Sequence, residues 1–178
     1  EAVEQSKYVM ALSYEVLKNT AKANELYREL IKENTKKPDV YIKIFAANQA
    51  EKQTDKAINV LKRGVKNLPE NAQLKALLGS TYLQAGQKEE AEKIVQSLLA
   101  LGEKKEVFNY VGDIYRDASD IAKAEEYYNK SLALDAAQTD AYFGLASTYF
   151  NKAVDVLKEA DKVPLDDMTG AYDKLKNE

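Results

Sequence analysis

Four alanines, Ala23, Ala57, Ala91 and Ala124, stand 34, 34 and 33 residues apart. A fixed period of that length marks a stacked repeat, in which each unit buries its apolar face against its neighbours. Other positions keep the same phase. Tyr14, Tyr82, Tyr115 and Tyr149 form one series, with Asn48 in the remaining slot, and Met10, Ile44, Leu78, Val111 and Leu145 form an apolar one. The whole chain, residues 1–178, is therefore expected to be a single array and not a set of independent globular domains.

Numbering the unit so that its eighth position falls on Ala11, Phe45, Gly79, Gly112 and Ala146 puts the alanine series at position twenty. Between the two lies a break, at Asn19-Thr20, Gln53-Thr54, Ala85-Gly86-Gln87 and Ala118-Ser119-Asp120, and each break suits a helix stop followed by an N-cap. Each unit is predicted to be two antiparallel helices, with units at about 4–37, 38–71, 72–104 and 105–138 and an incomplete, extended fifth at 139–178. Small residues at positions eight and twenty let two helix backbones approach closely. Tyr27, Leu61, Val95 and Tyr128, one turn after the alanines, share their face and should seal one unit against the next. In the second copy Phe45 is expected to fill the volume left by Asn48, with Gly64 relieving the crowding.

The fifth unit departs from this pattern. Its first helix starts with Tyr142, Leu145-Ala146 and Tyr149, but position twenty would fall on Lys158. An apolar face of Phe150, Ala153, Val154, Leu157 and Ala160 instead continues at helical spacing to Val163. Pro164 should end that helix, Asp166 or Asp167 can cap another, and Met168, Tyr172 and Leu175 give the last segment an apolar side. This hairpin is expected to cover the open end of the stack, the other reading being a docking element. The chain opens on Glu1, so a segment upstream is expected to have been removed, and it ends without a polar closing helix, so the natural protein is expected to continue.

Composition narrows the chemistry. With no His and no Cys, the commonest general base, the commonest metal ligand and the thiolate are all missing, so neither His-based triads nor the usual zinc sites can be built. No Gly-rich phosphate loop occurs, and the adjacent carboxylates Glu89-Glu90, Glu125-Glu126 and Asp166-Asp167 read as solvated faces. No enzyme, no cofactor and no metal are expected. A net charge of -3 from 26 basic and 29 acidic residues, interleaved, offers no basic field to a nucleic acid. No apolar run approaches the roughly 18 residues of a membrane span. Lys-, Asn- and Tyr-rich repeats without Cys favour an exported or periplasmic bacterial protein over a cytoplasmic one.

The pattern resembles the tetratricopeptide repeat. Leu78-Gly79-x-x-Tyr82 followed by Ala91 and Val95 is the best-preserved copy, and Phe108, Val111-Gly112-x-x-Tyr115, Ala124 and Tyr128 form another. Only the second copy keeps the closing proline, Pro69, whereas Thr35, Glu103 and Ala136 stand there elsewhere. The resemblance implies an all-α, right-handed superhelical solenoid of antiparallel helix pairs. It also implies a concave groove lined by positions two, five, nine and twelve of each first helix. Carried onto this chain, these are Tyr8 and Leu12, then Asp39, Ile42, Ala46 and Gln49, then Gln73, Ala76, Ser80 and Leu83. Glu106, Asn109, Asp113 and Arg116 follow, and finally Asp140, Phe143, Ser147 and Phe150.

Family members that hold acidic C-termini of chaperones use a cage of Lys, Arg and Asn there. In this chain Lys43 and Arg116 are outnumbered by Asp39, Glu106, Asp113, Asp117 and Asp140, so an acidic tail is disfavoured. The expected partner is a protein or peptide with apolar anchors and some positive charge, meeting Phe143 and Phe150 or Tyr8 and Leu12. The leading expectation is thus a non-enzymatic scaffold or adaptor. The alternative is a structural spacer, or a domain that self-associates through the ends of the array.

Overall fold

The computed structural model describes residues 2–162 and 176. Pro164, Asp166, Asp167, Met168, Tyr172 and Leu175 lie outside the described residues, so the expected closing hairpin does too. Among the described residues there are nine α-helices and no strand. The chain divides into two compact units, Glu1–Gly102 and Glu103–Glu178, at the boundary between the third and fourth repeats.

The first unit holds three helix pairs, α1 (Ala2–Val16) with α2 (Thr20–Lys32), α3 (Pro38–Ala50) with α4 (Thr54–Asn67), and α5 (Ala72–Gln84) with α6 (Lys88–Leu99). The second holds one pair, α7 (Lys105–Asp117) with α8 (Ile121–Leu134), followed by α9 (Thr139–Ala160). Four helix pairs stand among the described residues, and α9 runs past Lys158 to Ala160 without a turn.

The turn inside each pair is built by the main chain. Lys18, Lys52, Gly86 and Ser119 all adopt left-handed backbone, with φ of 56°, 56°, 74° and 59°. Each donates its N–H to the carbonyl three residues back, and the next residue donates to the carbonyl five back: Asn19 to Tyr14, Gln53 to Asn48, Gln87 to Tyr82 and Asp120 to Tyr115, at 2.8 to 2.9 Å. This is the Schellman arrangement, which satisfies the last carbonyls of a helix. The residue that closes one helix then opens the following one. The side chains of Asn19 and Asp120 also accept an N–H of the first turn, from Lys22 and Lys123 at 3.2 Å each, while Gln53 and Gln87 make no such bond.

Packing follows the repeat phase. Ala23, Ala57, Ala91 and Ala124 are at most 1% exposed, and Tyr27, Leu61, Val95 and Tyr128 are equally enclosed. Between the first two pairs, Tyr41 donates its hydroxyl to the Thr35 carbonyl at 2.9 Å and accepts from the Asn67 amide at 2.7 Å. Arg63 reaches back to the Lys32 carbonyl at 2.9 Å, so the loop is held from α3 and α4 together. Thr35, standing where the closing proline would be, is buried and donates to Glu4 at 2.5 Å.

Three packing expectations need correction. A Cβ on Gly64 would lie 3.0 Å from Cγ of Tyr41, so this glycine makes room for Tyr41 and not for Phe45. Phe45 is only half-buried against the core of the first unit. Met10 on α1 is exposed and takes no part in the core. In α9 the buried residues are Ala141, Gly144 and Thr148, whereas Tyr149 is exposed and Leu145 half-buried. In the fourth copy Val111, Gly112 and Tyr115 hold the corresponding positions and are buried, whereas no second helix follows α9 among the described residues.

Candidate functional site

The first-helix residues singled out from the sequence fall into two faces, one in each unit. In the first unit the Tyr8 hydroxyl on α1 donates to the Asp39 carboxylate on α3. That bond, with burial second, pushes the phenol up to about 12. The Lys37 ammonium stands 4.8 Å from the centre of the Tyr8 ring. Lys43, a second cation near this face, is paired with Glu15 at 2.7 Å. Tyr8, Ile42 and Leu83 are partly buried against the core, Ala76 is buried, and Leu12, Gln49 and Ser80 are half-buried. The structure thus joins Tyr8 to Asp39 and leaves this face with few free anchors.

The second unit is arranged differently. Tyr128 rises from α8 between α7 and α9, at two glycines. A Cβ on Gly112 would come within 2.7 Å of its Cε1, and one on Gly144 within 2.3 Å. These glycines are needed because a ring occupies the space their side chains would take. The Tyr128 hydroxyl donates to Asp113 at 2.8 Å, and Arg116 donates to the same carboxylate oxygen at 2.6 Å and to the phenol oxygen at 3.1 Å. The other guanidinium arm reaches Asp117 at 2.9 Å.

Burial raises the Asp113 carboxyl above its ordinary value, with the Tyr128 hydroxyl and Arg116 pulling the other way. Burial likewise pushes the Tyr128 phenol far up, reinforced by Asp113. For Arg116 burial acts against the charge, but Asp113, Tyr128 and Asp117 outweigh it and the net shift is upward. Asp113 and Arg116, read from the sequence as contact residues, are therefore tied into the packing of the unit.

Around this network the surface is acidic and aromatic. Burial raises the Tyr110 phenol, and the Asp113, Asp140 and Glu106 carboxylates add to that shift in turn. Asn109 is buried, and its Oδ1 has no hydrogen-bond partner. Phe143 and Phe150 on α9 are 72% and 68% exposed, with Ser147 half-buried between them. The sequence reading missed Gly144 and the Tyr128 hydroxyl. A glycine inside α9, at a position where the other copies carry Val9, Lys43, Leu77 and Tyr110, was the available signal.

No group of three or more Asp or Glu among the described residues is arranged to hold a metal ion, and no described helix is long and apolar enough to cross a membrane. Helix pairs of similar length, with one turn geometry and packing phase, define an all-α helical-repeat protein of the solenoid class. Family comparison gives the same result: one tetratricopeptide-repeat model matches residues 17–78 and 49–109, and a second matches 107–138. The chain belongs to the tetratricopeptide-repeat family, and its architecture is that of a protein-interaction module.

Among solved structures, a crystal structure of the MamA protein is similar in fold, with a TM-score of 0.56 at 19% identity over 84% of this chain and 82% of that one. TTC0263, a thermophilic TPR protein of Thermus thermophilus, has a TM-score of 0.48 at 18% identity, over 83% of this chain and 99% of its own. The second TPR domain of human RPAP3, solved with the HSP70 peptide SGPTIEEVD, has a TM-score of 0.44 at 23% identity, over 61% and 92%. A comparison with curated proteins finds no match.

Proposed function

We propose that this chain is a non-enzymatic adaptor that holds an extended peptide or a helix of a partner protein on its first-helix faces, through apolar anchors and positive charge. The contact set is Tyr8, Leu12, Ile42, Gln49, Ser80 and Leu83 in the first unit, and Asn109, Asp113, Arg116, Phe143, Ser147 and Phe150 in the second. The observation that carries the reading is the pairing of exposed Phe143 and Phe150, seven residues apart on α9, with the exposed carboxylates Glu106 and Asp140. Arg116 is neutralised by Asp113 and Asp117, and Lys43 by Glu15, so neither is free to hold a carboxylate. A ligand of the same sign as these faces would meet repulsion.

Selection of a displayed random-peptide library on the immobilised chain tests this. The enriched peptides should carry an aromatic or aliphatic anchor beside Lys or Arg, and Phe143→Ser with Phe150→Ser should abolish their binding while helicity by circular dichroism stays unchanged. Enrichment of acidic C-termini, or retention by the doubly substituted chain, would overturn the reading. The alternative, a spacer or a domain that self-associates through the array ends, is favoured by the exposed Tyr142, Tyr149 and Leu157 alongside the two phenylalanines. Under it, sedimentation velocity should show a mass that grows with concentration, and the same two substitutions should remove that growth.

A further inference from the structure

The second repeat contains a cavity at positions where the first and fourth copies place a tyrosine ring against a lysine. In the first copy the Lys22 ammonium lies 5.2 Å from the centre of the Tyr14 ring, and in the fourth Lys123 lies 4.6 Å from that of Tyr115. In each case the lysine follows its tyrosine by eight residues. The fourth copy adds Tyr127, whose ring stacks on Tyr115 with centroids 5.8 Å apart. The same three positions in the second copy are Asn48, Lys56 and Val60. The cation is kept, while one ring has become a short amide and the other a small aliphatic group. All three residues line a cavity of about 400 Å³ among α2, α3 and α4. The cavity is open to solvent on one side, and its volume is within the range of small-ligand sites.

The walls of this cavity have a definite chemistry. Ile31 and Ile44, both buried, give it an apolar floor beside Val60. Its rim carries Arg28, Lys32 and Lys56 against a single carboxylate, Glu51. Asn48 is itself 3% exposed, a polar group at the inner wall. None of the groove residues assigned above lines this cavity.

We infer that this cavity is a second docking site, which receives an aromatic side chain of a partner protein flanked by acidic residues. The first and fourth copies show that the repeat accommodates a phenol ring beneath this lysine. Lys56 offers its cation to the face of the incoming ring, as Lys22 and Lys123 do to their own tyrosines. Arg28 and Lys32 complement the neighbouring carboxylates. The charge preference is opposite to that proposed for the first-helix faces, so the two sites would bind different segments, and the inference does not rest on the groove reading.

The test uses the full chain labelled with ¹⁵N and three blocked tripeptides, acetyl-Glu-Tyr-Glu-amide, acetyl-Glu-Ala-Glu-amide and acetyl-Lys-Tyr-Lys-amide. The first should shift the side-chain amides of Asn48 and Asn59 and the backbone amides about Lys56. The other two should bind at least about tenfold more weakly. Asn48→Tyr supplies the ring from within, as the other copies do, and should abolish the shifts while raising the melting temperature. Lys56→Gln should keep the fold and weaken binding. Equal shifts from the alanine peptide, no shifts at these residues, or undiminished binding by Asn48→Tyr would overturn the inference. Loss of binding on Phe143→Ser with Phe150→Ser but not on Asn48→Tyr would place the peptide on α9 and overturn it as well.

Discussion

At the scale of single residues, two glycines separate two kinds of cost. Gly144 has ordinary helical backbone, but a methyl group there would stand 2.3 Å from Cε1 and Cζ of Tyr128. Gly144→Ala should therefore destabilise the second unit by overpacking, about 1–3 kcal/mol. A methyl group on Gly86 would meet nothing within 4 Å, yet this residue sits at φ +74°, so Gly86→Ala should cost about 1 kcal/mol from backbone conformation alone. Urea melts of the two variants check both values. Tyr128→Phe keeps the ring and removes the donor to Asp113, which should cost about 1–2 kcal/mol. Because that hydroxyl holds the carboxyl down, the Asp113 titration followed by NMR should move further upward. The repeat phase located Tyr128 as a sealing residue from sequence alone. Its hydroxyl chemistry was not legible, since it depends on α7 and α8 bringing residues 113, 116 and 128 together.

At the scale of helices, ion pairs and turns join elements whose existence the sequence already specifies. Lys105 at the start of α7 and Asp135 just after α8 pair at 2.6 Å. The Lys105 bond, then the Ala137 N–H, holds the Asp135 carboxyl below its ordinary value, and Asp135 holds the Lys105 ammonium above its own. A lowered acid contributes stability above its unfolded value and loses it as pH falls through the folded one. A raised base contributes below its unfolded value and loses it as pH rises through the folded one. The pair should therefore stabilise the second unit across the broad window between those limits. Thermal melts of the parent and Asp135→Asn should differ at neutral pH and converge under strong acid, and the effect should be small because both groups are well solvated. The helix pairs themselves were readable because each break coincides with a stop and an N-cap position. The exposure of Tyr149 follows from α9 continuing where the other copies have a turn and a second helix, a continuation legible in the apolar face that runs on through Leu157.

At the scale of the whole molecule, the chain was expected to be one array, and its contacts group it into two units divided at Gly102–Glu103. Gly102 has φ +102°, and Gly102, Glu103 and Lys104 are exposed between α6 and α7. Limited trypsinolysis should cut first at Lys104 and release two fragments that separate by mass. Earlier cleavage inside any helix pair would show that the junction is not the weakest point. The groove positions illustrate how far a repeat pattern reaches: it placed Phe143 and Phe150 on one face, but not the bond from Arg116 to the Tyr128 hydroxyl, which depends on α8 standing against α7.

The turn geometry has a wider meaning for such a chain. At position eleven the hairpin draws on the backbone carbonyl alone, whether the residue is Tyr14, Asn48, Tyr82 or Tyr115. The side chain there is released from any duty in making the bend. A repeat can thus be re-equipped at that point, by a single codon, without redrawing the path of the chain, and otherwise uniform modules acquire individual surfaces.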